Sequence, residues 1–209
     1  MGNIYVFDHP LIQHKIAMLR RKQTTAREFR DLAKEITMLM AYEATKNLRV
    51  KEIQVETPLC TTKAKALDGA EAAIVLILRA GLGMLDGMLE LLPDAAVGHI
   101  GLARDPETKE PVEYYCKLPK EMPARDIFVV DPMLATGGSA AAAVDIVKNS
   151  GAKRISFLCL MAAPEGIQAL QTAHPDVDIY IAAKDRELNE HSYIIPGLGD
   201  AGDRLYATE

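Results

Sequence analysis

The residues best suited to chemistry lie in one segment, which begins at Asp131 and ends at Ser139. The apolar run Ile127–Val130 predicts a buried strand, and Asp131 stands at its carboxyl end. The loop Ala135–Ser139 follows, with two adjacent glycines and two hydroxyl side chains, and then a helical pattern begins. Such a loop lets backbone N–H groups surround a phosphate, while the acid can accept hydrogen bonds from ribose hydroxyl groups. We therefore predict a site for a phosphorylated sugar and favour it over an ordinary strand-to-helix turn.

A second segment of the same kind is Leu78–Met84, which also follows an apolar run and precedes a helical pattern. Arg79 can donate two hydrogen bonds to one anion, and Gly81 and Gly83 allow backbone amides to approach it. Two such segments on one sheet suit a substrate with phosphates at both ends. Alone, this segment fits a helix-start turn with a surface arginine equally well; beside the Asp131 segment, anion binding is favoured.

The C-terminal segment Tyr193–Asp203 is rich in glycine and formally matches a dinucleotide-binding fingerprint at Gly197, Gly199 and Gly202. That fingerprint needs a following helix and a second strand, and too few residues remain to form them, which excludes a dinucleotide-dependent dehydrogenase. The sequence has no GxxxxGK[ST] motif, which disfavours nucleotide triphosphate hydrolysis. Glycines would let backbone groups bind a flat base; the alternative is a turn that closes the domain.

The composition is that of an ordinary globular domain, with 209 residues, of which 49% are hydrophobic and 25% charged. A net charge of −5 gives no general affinity for nucleic acid or membranes. The three cysteines form no CxxC pair and the five histidines no metal-binding spacing, so we expect reduced thiols and no metal ligands from the protein. Without a signal-peptide pattern or an apolar run long enough for a bilayer, we expect a cytoplasmic protein.

The rest of the chain predicts the elements that position these segments. Two N-terminal helices are predicted, at Pro10–Arg21 and from Thr25, where Thr25 and Glu28 suit a capping box. Their apolar faces suit core or subunit contact and indicate a homo-oligomer, a dimer or a tetramer. The further predicted strands are 53–56, 73–78, 96–103, 127–130, 154–160 and 177–181, and the further predicted helices are 82–92, 140–148 and 164–173.

This alternation predicts an α/β fold with a parallel sheet flanked by helices. We expect a single domain over residues 1–209, in which 1–50 form an N-terminal helical segment. Residues 112–117 predict one arm of a protruding hairpin, a β-arm, after the turn-rich stretch 105–109. Residues 184–209 have many glycines and no long helical pattern, and they predict a small C-terminal hood over the carboxyl edge of the sheet.

The segment Val130–Ser139 resembles the signature of type I phosphoribosyltransferases, which bind 5-phosphoribosyl 1-diphosphate (PRPP). Most of that family has a second acid where this chain has Pro132, and this variant is similar to the uracil phosphoribosyltransferase branch. The likeness extends over nearly the whole chain, with Ala207 standing where the family more usually has glycine. It includes Asp8–His14, Met38–Glu43, the Arg79 segment, Gly98–Gly101, Glu110–Tyr115 and the Gly197 segment.

The resemblance implies transfer of a phosphoribosyl group from PRPP to N1 of uracil, with Mg²⁺ carried by PRPP. It implies PRPP contacts at Arg79, Arg104, Asp131, Pro132, Met133, Leu134, Ala135, Thr136, Gly137, Gly138, Ser139 and Asp200. It implies uracil contacts at Ile194, Gly199, Asp200 and Ala201, mostly through the backbone. Catalytic roles fall to Arg79, Asp131 and Asp200, the last as the candidate acceptor of the N1 proton. Some members of the family respond to GTP, which makes GTP a candidate allosteric activator.

Other acceptors and other roles fit the residues less well. Orotate would need a cation for its carboxylate, and the segment 193–203 has none. A purine would stack on an aromatic ring, and Tyr193 is the only aromatic residue in that segment. A regulatory protein that keeps this fold to bind RNA should have a basic face, whereas this chain is acidic. We therefore expect no nucleic-acid partner and no membrane partner.

Overall fold

A mostly parallel sheet lies at the centre of the molecule, and the apolar runs of the sequence form its central strands. The computed structural model describes residues 2–68, 72–104 and 111–208, with Arg104 described by its backbone alone. The strands are β1 (Ile4–Val6), β2 (Val50–Glu56), β3 (Thr61–Leu67), β4 (Ala72–Leu78), β5 (Ala96–Arg104), β6 (Pro111–Lys117), β7 (Asp126–Val130), β8 (Met133–Leu134), β9 (Arg154–Ala162), β10 (Asp178–Lys184), β11 (Glu187–Leu188) and β12 (Ile194–Ile195). The helices are α1 (Pro10–Arg20), α2 (Ala26–Ala44), α3 (Leu82–Leu91), α4 (Gly138–Asn149), α5 (Pro164–Ala173) and α6 (Ala201–Tyr206), with a short 3₁₀ helix at Met122–Ala124.

The order of strands in the main sheet is β1-β10-β9-β7-β4-β5-β6, with β8 added beside β9. All neighbours are parallel except β6, which runs antiparallel to β5 at the edge. The chain goes from β4 to β5 on one side, whereas β7 lies on the other side of β4 and leads on to β9 and β10. The order therefore reverses between β4 and β7. In open α/β sheets, ligands bind at such a reversal, outside the carboxyl ends of the strands.

Helices cover both faces of this sheet, which is why the central strands are apolar along their whole length. On one face α1, α2, α3 and α6 pack on alternate strand residues, among them Ile74, Leu76, Phe128, Val130 and Leu158. On the opposite face α4 and α5 pack on the intervening ones, among them Ala73, Val75, Ile127, Val129 and Phe157. The prediction of a parallel sheet flanked by helices is confirmed.

The two N-terminal helices belong to the core. The capping box at Thr25 is confirmed, because its side chain accepts from the Glu28 N–H while Glu28 accepts from the Thr25 N–H. Phe29, Ile36 and Met40 of α2 are fully buried within the chain. The apolar face of α2 therefore supports the fold, and the part of it that is buried is not a free surface for a second subunit.

Two features of the strands differ from the predicted pattern. The predicted strand at 53–56 is part of a longer hairpin, in which β2 and β3 pair antiparallel outside the main sheet. Strand β3 was not predicted, because Thr61–Leu67 alternates small and charged residues and nearly all of it is exposed. The predicted arm at 112–117 is β6, the exposed edge strand of the main sheet, and the turn predicted at 105–109 lies outside the described residues.

The last elements form a small unit over the carboxyl edge. Strands β11 and β12 pair antiparallel, and α6 follows them. Leu198, Ala201 and Leu205 are buried against the core on the α1–α2 side of the sheet. The described residues include no helix that is both long and apolar enough to cross a membrane.

Candidate active site

The Asp131 segment begins with backbone bonds that attach it to β9. The Asp131 N–H donates to the Leu158 carbonyl (3.2 Å), and the Pro132 carbonyl accepts from Leu160 (3.0 Å) and Met161 (2.9 Å). The side chains of Pro132 and Leu134 are buried, whereas Asp131, Met133 and Ala135 are partly exposed. The sheet thus fixes where the segment leaves β7. The partly exposed residues line the crevice, by which we mean the space outside the carboxyl ends of β4 and β7.

The second half of the segment forms a cradle at the start of α4. Gly137 has a φ of +85°, a conformation that favours glycine, and it is the N-terminal cap residue of α4 without a side-chain hydrogen bond to the helix. The first N–H groups of α4, at Gly138 and Ser139, therefore have no partner within the helix. A Cβ at Gly138 would meet nothing closer than Thr136 Oγ1 at 3.9 Å, so the backbone beside these donors is not crowded. This geometry suits a phosphate at a helix N-terminus.

The carboxyl group of Asp131 has unusual electrostatics. Burial raises the pKa of Asp131 to about 7, and the charge of Asp200 adds to the rise. A hydrogen bond from the Met133 N–H opposes it. The fold therefore holds two carboxyl groups near each other at the sheet edge, an arrangement that suits ligands with hydroxyl donors or a bound cation.

Arg79 follows β4 and lies in the neighbouring loop. The Leu78–Arg79 peptide bond is cis. A Cβ at Gly81 would stand 2.7 Å from the Val130 carbonyl at the end of β7, so this loop lies directly against the Asp131 segment. The arginine side chain is 58% exposed, and its contact with the Asp203 carboxylate, at 3.6 Å, is long. Its guanidinium group is therefore accessible to an anion in the crevice.

Helix α6 connects the arginine loop to the hood. The Tyr206 hydroxyl donates to the Arg79 carbonyl (3.0 Å), and the Arg79 guanidinium lies 5.9 Å from the centre of the Tyr206 ring. Asp200 caps the other end of α6, where its carboxylate accepts from the Asp203 N–H (2.9 Å). One short helix thus contacts the arginine loop at its end and places Asp200 at its start.

A cavity of about 300 Å³ lies between the hood and the Asp131 segment. Its lining brings together the four predicted uracil contacts Ile194, Gly199, Asp200 and Ala201 with Met133 and Ala135, two of the predicted PRPP contacts. His191, Ser192 and Tyr193 line it as well. Neither His191 nor Ser192 could be predicted as a site residue, since a polar residue in a loop carries no spacing signal.

One predicted residue and one further cavity lie outside this arrangement. Arg104 ends β5, but its side chain lies beyond the described part of the structure. A larger cavity, about 440 Å³, lies beside α1 and α2 and is lined by charged residues such as Arg21, Glu28 and Asp31. It contains none of the predicted site residues, whereas the smaller cavity is lined by six of them.

The sequence matches the family model of uracil phosphoribosyltransferase over residues 6–208. It is 59% identical to a uracil phosphoribosyltransferase from Geobacillus kaustophilus, and the match covers the full length of both chains. A solved structure of the AQ2163 protein from Aquifex aeolicus is similar at 38% identity, with a TM-score of 0.93 and 99% of both chains covered.

A more distant solved structure shares the fold. It is an adenine phosphoribosyl transferase from Trypanosoma brucei, 16% identical, with a TM-score of 0.60 over 96% of this chain and 89% of that one. At this identity the likeness supports the architecture alone, a sheet of the type I phosphoribosyltransferase kind.

Proposed function

This chain belongs to the uracil phosphoribosyltransferase family, and we propose that the crevice between the ends of β4 and β7 is where it carries out its reaction. The protein is a pentosyltransferase that forms UMP and pyrophosphate from PRPP and uracil. The bond from C1 of the ribose to pyrophosphate breaks, and its electrons leave with the pyrophosphate. N1 of uracil forms the new bond to C1 and gives up its proton. The reaction recovers a free pyrimidine base as a nucleotide.

The 5′-phosphate of PRPP would bind at the start of α4. Three observations support this assignment: the N–H groups of Gly138 and Ser139 have no partner within the helix, Gly137 has a positive φ, and the backbone at Gly138 is not crowded. The hydroxyl groups of Thr136 and Ser139 can donate further hydrogen bonds to phosphate oxygens. Binding here holds the sugar at a fixed distance from the hood.

Asp131 would hold the ribose. Its carboxyl group is close enough to Asp200 for that charge to raise its pKa, and as a carboxylate it can accept hydrogen bonds from the ribose hydroxyl groups. Fixing the sugar while the base is also held reduces the entropy lost at the transition state, an effect worth up to roughly 7–11 kcal/mol in favourable cases. The role of Asp131 is thus to orient C1 for an in-line displacement.

Arg79 would bind the pyrophosphate as it leaves. The arginine is exposed and makes only a long contact with Asp203, so it can turn to an incoming anion with little loss. A cation placed where negative charge develops is commonly a large contribution to catalysis. We assign Arg104 the same role from the family resemblance.

The cavity beneath the hood would bind uracil. Its volume of about 300 Å³ and its backbone lining at Ile194, Gly199 and Ala201 suit a small flat ring with two carbonyl groups and an N–H group. The carbonyls of Gly197 and Leu198 already accept from arginine side chains, so neighbouring backbone groups are left to contact the base. Asp200 lines this cavity and is our candidate for accepting the N1 proton.

The carboxyl groups at the sheet edge fit the Mg²⁺ that accompanies PRPP. Asp131 and Asp200 are oxygen donors close enough for one charge to raise the pKa of the other, and Mg²⁺ prefers oxygen ligands. In the described ranges there is no cluster of three or more metal-binding side chains, so the substrate itself would supply most ligands. The bound ion would offset the negative charge of the pyrophosphate.

The observation that carries this proposal is the meeting of three segments at one strand-order reversal: the Arg79 loop, the Asp131 cradle and the hood cavity. The test is to incubate the pure protein with PRPP, Mg²⁺ and one base at a time, namely uracil, cytosine, orotate, adenine or hypoxanthine. We expect UMP from uracil and no product from the others. If only a base other than uracil gave a product, the hood would not be a uracil site. If no base gave a product, the proposed phosphoribosyl transfer itself would be wrong.

Four broader properties are also proposals. We expect residues 1–209 to act as one domain, with 184–209 as the base-recognition hood. We place the protein in the cytoplasm, which agrees with three free thiols at Cys60, Cys116 and Cys159. A homo-oligomer is supported by exposed apolar side chains such as Leu59 and Leu67 on the β2–β3 hairpin, and size-exclusion chromatography would test it. GTP activation would be tested by measuring the rate of UMP formation with and without GTP.

A further inference from the structure

Both backbone polar groups of Gly197 are bound by one buried ion pair. The Gly197 N–H donates to Oδ2 of Asp185 (2.9 Å), and its carbonyl accepts from Nη1 of Arg20 (2.8 Å). The two side chains also bind each other through two hydrogen bonds, from Nη1 to Oδ2 (2.8 Å) and from Nη2 to Oδ1 (2.5 Å). The Asp185 side chain is 4% exposed and that of Arg20 is 24% exposed. The four groups therefore form a closed ring of charge-assisted hydrogen bonds.

The ion pair connects Gly197 to the main sheet and to α1. Asp185 directly follows β10, and its own N–H donates to the Ala162 carbonyl at the end of β9 (2.8 Å). Arg20 is the last residue of α1, whose Ile16 and Leu19 are buried in the core. The position of Gly197 is thus fixed relative to the same sheet edge that carries the Asp131 segment.

Gly197 cannot be held by packing of its own. It has no side chain and has a φ of +61°, a conformation that a larger residue adopts only with strain. A carboxylate and a guanidinium group supply the acceptor and the donors that its backbone needs. A lysine at position 20 has a single nitrogen and cannot reproduce the planar pair of hydrogen bonds.

We propose that Arg20 and Asp185 are positioning residues. They fix the distance between the hood backbone and the bound sugar, and this distance determines the affinity for the base. This inference rests on the proposed function, because it takes the hood cavity as the uracil site. Gly199, Asp200 and Ala201, which line that cavity, begin two residues after Gly197. Neither Arg20 nor Asp185 lines the cavity, so each acts through Gly197.

The test compares Arg20→Lys and Asp185→Asn with the wild type and with Arg154→Lys as a matched control. Arg154 also pairs with a partly buried aspartate, Asp126, and also donates to a backbone carbonyl, that of Ala124 (2.8 Å), but it lies at the amino end of the strands. Steady-state kinetics give KM for uracil and for PRPP separately. Hydrogen exchange is followed on peptides that cover 193–201 and 131–139.

For Arg20→Lys and Asp185→Asn we expect KM for uracil to rise about tenfold, the scale of one lost charge-assisted hydrogen bond, with KM for PRPP changed less than about twofold. Exchange should become faster over 193–201 and stay unchanged over 131–139. The control Arg154→Lys should keep both KM values, whatever it does to thermal stability.

Three results would overturn the inference. The first is an unchanged KM for uracil in both variants, and the second is an equal rise of both KM values. The third is loss of the folded state in both variants while Arg154→Lys folds, since the ion pair would then be needed for the fold as a whole. A wild-type protein that makes no UMP from uracil would instead overturn the proposed function itself, so the two failures are distinguishable.

Discussion

Asp131, which we propose holds the ribose, also has a cost to stability, since its carboxyl group is held where ionisation is unfavourable. Its pKa is raised from an ordinary value of 3.8 to about 7, chiefly by burial. A group with a raised pKa in the folded state stabilises the fold fully below the unfolded pKa and loses that contribution as pH rises through the folded pKa. The ligand-free protein should therefore lose stability between about pH 4 and pH 7 because of this one group.

Asp131→Asn should remove that pH dependence and the activity together. At pH 8 we expect the variant to be more stable than the wild type, because only the wild type then carries a charged group where ionisation is unfavourable. Below about pH 4 the difference should vanish, because both proteins then carry an uncharged group. Thermal unfolding of both proteins at several pH values measures this, and turnover should fall at least about a hundredfold. Equal stability at all pH values, or full turnover, would contradict the assignment.

Arg79→Ala tests the second loop at the same scale. We expect kcat/KM for PRPP to fall about a hundredfold, because a cation at the leaving group acts mainly in the transition state. Arg27→Ala is the control, since the Arg27 side chain is 87% exposed on α2 and makes only a 4.0 Å contact with Asp31. PRPP kinetics that match those of the control would show that Arg79 has a structural role only.

The residues that could be predicted are those with a local signal. Asp131 and Arg79 directly follow strand ends in sequence, and Gly137 directly precedes α4; they lie at one sheet edge because the strands are parallel. Arg20 had no such signal, because its partner Asp185 is 165 positions away and only the fold brings them together. His191, in the cavity lining, is similarly a single polar residue in a loop.

Among the elements, the starts of α4 and α5 each contain a glycine, one proposed to face the ligand and one required by packing of the fold. A Cβ at Gly138 would make only ordinary van der Waals contacts, at 3.9 Å or more, whereas a Cβ at Gly166, the third residue of α5, would stand 2.4 Å from the Ala135 carbonyl and 2.5 Å from the Leu134 carbonyl. The first site is open to a ligand, and the second is filled by the backbone of the Asp131 segment. The same substitution should therefore act differently at the two positions.

Gly138→Ala should keep the fold and weaken PRPP binding. Alanine is the better residue within a helix by up to about 1 kcal/mol, so the melting temperature should be unchanged or slightly higher. The added methyl group enters the space proposed for the phosphate, so KM for PRPP should rise about tenfold or more. Gly166→Ala, in contrast, should lower the melting temperature, because the backbone of residues 134–135 must move. Normal PRPP kinetics in the Gly138→Ala protein would show that the phosphate does not bind beside Gly138.

The elements themselves were predictable to different degrees. The buried strands β4, β5 and β7 and helix α5 follow apolar runs and clear breaks, and they were predicted to within a few residues. Helix α4 begins at Gly138, two residues before the predicted start, because its first turn is built from glycine and serine, which are weak helix formers. Strand β3 gave no signal, since an exposed hairpin strand needs no apolar face.

At the scale of the whole molecule, PRPP should act as a bridge between two loops that belong to different strands. We expect PRPP with Mg²⁺ to raise the melting temperature more than ribose 5-phosphate or pyrophosphate at the same concentration, because each fragment contacts only one loop. At a hundred times Kd the gain is about 2.7 kcal/mol, which corresponds to roughly 5–10 °C for a protein of this size. Thermal shift assays measure it. Equal shifts from PRPP and from one fragment would mean that only one of the two loops binds it.

The attachment of the hood to both α1 and the Arg79 loop has a consequence for synthesis of the chain. Arg204 donates to the carbonyls of Leu19 and Leu198, and Tyr206 donates to that of Arg79, so α6 connects early and late parts of the sequence. On the ribosome, the sheet and its phosphate cradle can be made before the segment 194–206 emerges. A nascent chain at that stage would have a place for the sugar phosphate but none for the base, so transfer activity should appear only after α6 leaves the exit tunnel.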